Sequence, residues 1–154
     1  MKPNQYLFDK IKDLMKNVFK EDLIEYEDGN SITLKDTGFW VSVDQKELTI
    51  GLEFNHIHYN FDYDSMEDAI DTFFLTLTKR KKITNYSKGS QVFKTKVVIE
   101  LDNNEILDLG LTSTIPLQFW KKTKSETSYS DEFVNENLVT AEWKELINYA
   151  QQRV

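Results

Sequence analysis

Apolar residues first recur along this chain at helical spacing. Leu7, Phe8, Ile11, Leu14, Met15, Val18 and Phe19 fall one, three and four apart and make one stripe. Asp9, Lys10, Lys12, Asp13 and Lys16 fill the opposite face. The pattern predicts a helix over 4–19, with Asn4 as N-cap after Pro3, packed on a sheet. Acids then crowd Glu21 to Asn30, and Asp28-Gly29-Asn30 signals a turn. From there the period drops to two. A short strand is expected over 31–35 and a turn at Asp36-Thr37-Gly38. A hairpin with its turn at Gln45-Lys46 follows, its inward set being Phe39, Val41, Val43, Leu48, Ile50, Leu52 and Phe54.

At Asn55 the phase of the alternation reverses. A bulge or strand end there would swap the faces, setting Ile57, Tyr59 and Phe61 against the core and pointing His56 and His58 outward together. Ser65 then has the position of an N-cap, with Asp68 three residues on, and Ala69, Ile70, Phe73, Phe74 and Leu77 make a second helical stripe. The basic run Lys79-Arg80-Lys81-Lys82 would complement the negative end of that helix. Three more strands are expected, over 83–88, 92–101 and 106–111, with a tight turn at Asp102-Asn103-Asn104-Glu105. Residues 112–135 read as a long polar loop holding Phe119 and Trp120, and Thr140 to Val154 as a closing helix.

Strands that come as hairpins, and not as alternating strand–helix units, give an α+β class. The expected architecture is a mainly antiparallel sheet of about six strands with N-terminal, central and C-terminal helices packed on it. A length of 154 residues fits a single domain over 1–154.

Composition narrows the function classes. With 40% hydrophobic residues and few glycines and prolines the chain can build a real core. It has no cysteine, which removes disulfides, thiolate metal sites and cysteine nucleophiles and suits a reducing cytoplasm. The N-terminal stretch is broken by charges, unlike a signal peptide, and no window is apolar enough to span a bilayer. The expectation is a soluble, cytoplasmic protein with no membrane partner. A net charge of −7 disfavours nucleic acid and suits a basic protein partner.

Candidate chemistry is sparse. His56 and His58 are the only histidines, and on a strand residues two apart face the same way. A metal would need further ligands, for which Glu53, Asp62 and Asp64 are near in sequence. Asp62, Asp64, Glu67, Asp68 and Asp71 cluster where the strand meets the helix, as paired carboxylates for acid–base work would, or as a solvated helix start. No phosphate loop, nucleophile elbow or triad is recognisable, so no catalytic residue, metal or cofactor is assigned. Partner binding is expected at His56, His58, Asp62, Asp64, Glu67 and Asp71, with Phe119 and Trp120 as further candidates.

The run Trp40-Val41-Ser42-Val43, Glu47-Leu48-Thr49-Ile50, Asn55-His56-Ile57-His58-Tyr59, an acidic helix, and Lys82 to Gly89 before another strand resembles small bacterial immunity proteins. Those are the partners of toxins in contact-dependent and other polymorphic toxin systems. The resemblance covers roughly residues 38–111 and leaves 112–135 unexplained. It implies a cytoplasmic non-enzyme that binds and blocks a cognate toxin. A metal-dependent or acid–base enzyme using His56, His58 and nearby carboxylates is the alternative from another class. A generic cytoplasmic protein-interaction domain is a third.

Overall fold

A computed structural model describes residues 1–26 and 28–153. Glu27, one of the acids before the first expected turn, and Val154, the expected last residue of the closing helix, lie outside the described residues. The class is α+β. Two antiparallel sheets and three α-helices follow the order α1 (Pro3–Phe19), β1 (Leu23–Glu25), β2 (Ser31–Leu34), β3 (Phe39–Val43), β4 (Leu48–Leu52), β5 (Asn55–Tyr59), α2 (Met66–Thr78), β6 (Lys81–Lys88), β7 (Gln91–Glu100), β8 (Ile106–Ser113), β9 (Thr123–Ser130) and α3 (Thr140–Gln151). The first sheet is a five-stranded meander, β1-β2-β3-β4-β5, and the second has the order β8-β7-β6-β9.

The described residues thus form nine strands in place of about six, and the three additions have separate causes. β1 is a three-residue edge strand whose Leu23 pairs with Leu34; acids on either side hide it in the sequence. β5 is its own strand because β4 ends at Leu52, which pairs with Asn55 across a two-residue turn. Glu53 adopts a left-handed φ of 54° in that turn, and Phe54, expected inside, is 78% exposed at its tip. β9 arises within the expected loop, where it lines the edge of β6 from Thr123↔Lys88 to Ser130↔Lys81. Its side chains are almost all exposed, so it is held mainly by backbone pairing and hydrophobic alternation could not reveal it.

Helices α1 and α2 cover one face of the first sheet, and α3 packs on both of them. Leu7, Phe8, Ile11, Leu14 and Met15 of α1 are buried, as are Ile32, Phe39, Val41, Leu48, Ile50 and Leu52 of the strands beneath. From α2, Phe73 meets Phe39 at 6.1 Å, and Phe74 stacks on Trp143 of α3 at 5.1 Å. Tyr6 of α1 stacks on Tyr149 of α3 at 4.2 Å. Asn4 is not the cap of α1: Lys2 occupies that place with Pro3 in the first turn. Asn4 is instead buried and donates to the Asp44 carbonyl at 2.7 Å, pinning the helix start to the β3–β4 turn. Ser65 does cap α2, accepting from the Asp68 backbone N–H.

The basic run after α2 is spread over several tasks. Lys79 pairs with Glu136 at 2.8 Å, Arg80 lies over the Tyr129 ring and Lys82 pairs with Glu100. Lys81 turns inward, fully buried, where its Nζ donates to the carbonyls of Thr76 and Asp131 and sits 3.6 Å from the centre of the Phe133 ring. Burial pulls this ammonium down to about 8, with the carboxylates of Glu132 and Asp131 opposing. It ties the end of α2 to the start of the second sheet.

The sheets meet at Asn55. Its amide donates to the carbonyls of Thr95 at 3.2 Å and Gly110 at 2.6 Å, and its Oδ1 accepts from the Thr112 hydroxyl at 2.9 Å. A bulge makes this reach work: Lys96 pairs with Leu111 and Val98 with Asp108, so one residue of β7 faces two of β8. Gly110 sits in the bulge at φ 103°, and a Cβ there would come within 3.3 Å of the His56 carbonyl.

Candidate functional site

The face of the first sheet opposite the helices is uncovered, and it carries the two histidines. Alternation along β3, β4 and β5 sends Phe39, Val41, Leu48, Ile50 and Tyr59 inward and leaves Trp40, Thr49, His56 and His58 on the other side. Register then sets them in a row. Trp40 pairs with Gly51, Gly51 with His56, and Thr49 with His58. Gly51 is what lets the row pack, because the Trp40 indole lies flat over it and any Cβ would collide with the ring. The indole Nε1 donates to the Glu53 carbonyl at 3.0 Å, and its ring centre is 5.8 Å from that of His56. His56 and His58 meet edge to face at 4.9 Å.

Each imidazole is anchored through Nδ1. That of His56 lies 3.0 Å from the Phe54 carbonyl, which can only accept, so Nδ1 carries the proton. That of His58 is 3.0 Å from a Glu47 carboxylate oxygen and 3.0 Å from the Thr49 hydroxyl. Among the described residues neither Nε2 atom has a hydrogen-bond partner. Glu47 is placed by the β3–β4 turn, where Asp44 Oδ1 accepts from the backbone N–H of Lys46 at 2.7 Å and of Glu47 at 2.8 Å. Those two N–H groups hold the Asp44 carboxyl below its ordinary range, so it is a persistent negative charge beside the row.

The acids expected beside the histidines are elsewhere. Asp62 and Asp64 lie in the turn beyond β5, and Glu67 and Asp71 on α2, which covers the opposite face of the sheet. The chain must reverse after Tyr59 to lay α2 over the core, and this carries the acids away from the row. Two of them hold structure. Asp64 accepts from the Asn60 backbone N–H at 2.7 Å, and Asp71 accepts from Trp143 Nε1 at 2.8 Å. Asp64 and Glu67 line a shallow open depression with Phe61, Met66 and Arg153, and Glu67 also accepts from Gln151. Asp62 is exposed, its side chain in no ion pair among the described residues.

Phe119 and Trp120 form a second, separate place, at the far end of the second sheet. They meet edge to face at 5.4 Å and are 72% and 68% exposed. They are offered to solvent and not tucked under the domain.

Trp40, Thr49 and Glu47 are the members of the histidine row that sequence reasoning left out. A signal existed: Trp40 falls on the outward phase of its strand, and Gly51 is the one glycine inside the next. Among the described residues no group of three or more His, Cys, Asp or Glu side chains is arranged to hold a metal ion. No helix among them is long and apolar enough to cross a membrane. The chain matches no protein-family model, no curated protein and no solved structure.

Proposed function

We propose that the chain is a cytoplasmic binding protein that neutralises a cognate bacterial toxin domain, and that it docks through the open face of its first sheet. The observation that carries this reading is the Trp40–His56–His58 row. Its histidines are exposed, its tryptophan is half-buried, and hydrogen bonds fix the indole and both imidazoles. A face already held in one arrangement loses little side-chain entropy on binding, and a tryptophan in its middle is the residue type that most often dominates an interface. The carboxylates of Asp44, Glu47 and Glu53 at the ends of the hairpins form an acidic rim suited to a basic partner. The immunity-protein resemblance includes the strands that build this face, together with the acidic helix and the Lys82–Gly89 stretch that follow.

The enzyme reading has no comparable support. No third side chain is arranged with the two imidazoles to share a metal ion among the described residues, Glu47 being held on His58 Nδ1, and the acids of α2 sit behind the sheet. The test is the affinity of the toxin domain encoded by the neighbouring upstream gene, measured by calorimetry. Trp40→Ala should weaken it by about thirtyfold or more, as loss of an interface anchor does. Glu67→Gln, on α2 behind the sheet, should leave it unchanged. Equal affinities for wild type and Trp40→Ala would remove this face from the interface.

A further inference from the structure

The far end of the second sheet has a chemistry unlike the rest of the molecule. The segment between β8 and β9 projects Ile115, Leu117, Phe119 and Trp120 at 86, 78, 72 and 68% exposure, beside Val92 at 52%. These side chains are not on a floppy loop. Thr114 N–H donates to the Phe93 carbonyl, Gln91 Oε1 accepts from Leu117 N–H at 2.7 Å, Gln91 Nε2 donates to the Ile115 carbonyl, and Lys88 Nζ donates to the Lys121 carbonyl. The apolar tip is thus strapped across the β6–β7 turn in an outward pose.

Charge is segregated around it. Residues 84–96 and 109–125, which build this end, contain Lys88, Lys94, Lys96, Lys121, Lys122 and Lys124 and neither Asp nor Glu, in a chain of net charge −7; Glu126, opposite Asn85, and Asp108 are the acids at its border. Antiparallel pairing gathers them from distant stretches: Tyr86 pairs with Lys94, Ser87 with Lys124, and Lys88 with Thr123. Lys96 is balanced by Asp108 at 3.8 Å, while the others make no ion pair among the described residues.

We propose that this tip docks on the surface of a membrane rich in anionic lipid. The apolar side chains enter the headgroup–acyl boundary, and the lysines meet the phosphate layer behind them. Three features favour lipid over other anionic partners. The wedge includes fully projecting aliphatic side chains, which gain nothing from base stacking but gain from hydrocarbon. Its tryptophan is the residue most at home at the bilayer interface. Its cations are all lysine, a residue depleted in protein interfaces and less suited than arginine to nucleic-acid recognition. Docking of this kind needs no spanning segment. The histidine face lies on the other sheet, and the tip's chemistry does not depend on the toxin-binding reading.

The test is flotation of the purified protein with vesicles of equal parts phosphatidylcholine and phosphatidylglycerol, and with phosphatidylcholine alone. Wild type should float with the anionic vesicles only, and less as salt is raised. Replacing Lys121, Lys122 and Lys124 by glutamine should lower the partition coefficient about a hundredfold. Phe119→Ser with Trp120→Ser should lower it at least tenfold while leaving every lysine in place. Failure to float with anionic vesicles would overturn the proposal. So would flotation that ignores the Phe119/Trp120 change, because contact would then be charge alone. Tight capture of a labelled oligothymidylate, lost in the same variants, would assign the tip to nucleic acid instead.

Discussion

Asn55 carries the joint between the two sheets, and its removal gives a measurable estimate of how firmly they are coupled. The side chain is 2% exposed and makes three hydrogen bonds, all to β7 and β8. A buried hydrogen bond contributes about 1 kcal/mol net, so three contribute about 3. Alanine also strands the partly buried Gly110 carbonyl, which the bulge has turned toward the amide, adding up to about 2 kcal/mol for the lost partner. Asn55→Ala should therefore destabilise by about 3–5 kcal/mol, a large part of the ~5–15 kcal/mol typical of a domain. Urea unfolding followed by circular dichroism reads this directly. Asn103→Ala serves as the control, since Asn103 only accepts a 3.3 Å bond inside an exposed turn, and it should stay within about 0.5 kcal/mol of wild type. If the second sheet comes loose, the Asn55→Ala transition should also lose its single cooperative step. A shift below about 1 kcal/mol, with one sharp transition, would refute the argument that Asn55 joins the sheets.

Other perturbations test the remaining inferences. Gly51→Ala should expel the Trp40 indole, breaking its bond to the Glu53 carbonyl; stability should fall by about 1–3 kcal/mol and tryptophan emission shift to the red, whereas an unchanged spectrum would contradict the packing. Asp71→Ala should lower stability by about 1.5–3 kcal/mol through the lost Trp143 bond, with Asp62→Ala near zero; equal effects, read by thermal or urea unfolding, would return Asp71 to the surface strip. Lys81 makes a pH prediction. Its ammonium is pulled from 10.5 to about 8 in the fold, so between those values the unfolded chain keeps a proton that the folded one releases, and stability should rise with pH. The gain over Lys81→Met should be at most about 3 kcal/mol, since two carbonyls and the Phe133 ring still favour the charged form. Comparison with that variant cancels Tyr59, which burial raises above its ordinary value in both proteins, and parallel pH curves would show that Lys81 does not titrate in this window.

Period and capping chemistry made much of the fold legible in the sequence. The α1 stripe, the Ser65 cap, the β3–β4 hairpin and the outward pose of both histidines all follow from local pattern, because each is decided by neighbours a few residues away. What stayed hidden depends on distant partners. β9 has no buried face to mark it and exists through its backbone pairing with β6. Lys81 reads as one more lysine in a helix-ending run, and only the return of the chain at Asp131 and Phe133 encloses it. The acids from Asp62 to Asp71 are adjacent to His56 and His58 in sequence, yet the reversal into α2 puts the sheet between the histidines and Glu67, Asp68 and Asp71. The lysines of the tip are scattered over nearly forty positions and become one patch only when β6, β7 and β9 pair.

The central claim is that the chain neutralises a toxin by binding it through the open face of the first sheet. The most direct measurement is protection in living cells. The domain encoded by the upstream gene is expressed inside a bacterial host with wild type, Trp40→Ala, or the His56→Ala/His58→Ala pair, at matched protein levels. The account predicts full viability with wild type and loss of protection with Trp40→Ala, the paired histidine change falling between. Death in the presence of the wild-type chain, or equal protection by all three, would contradict it.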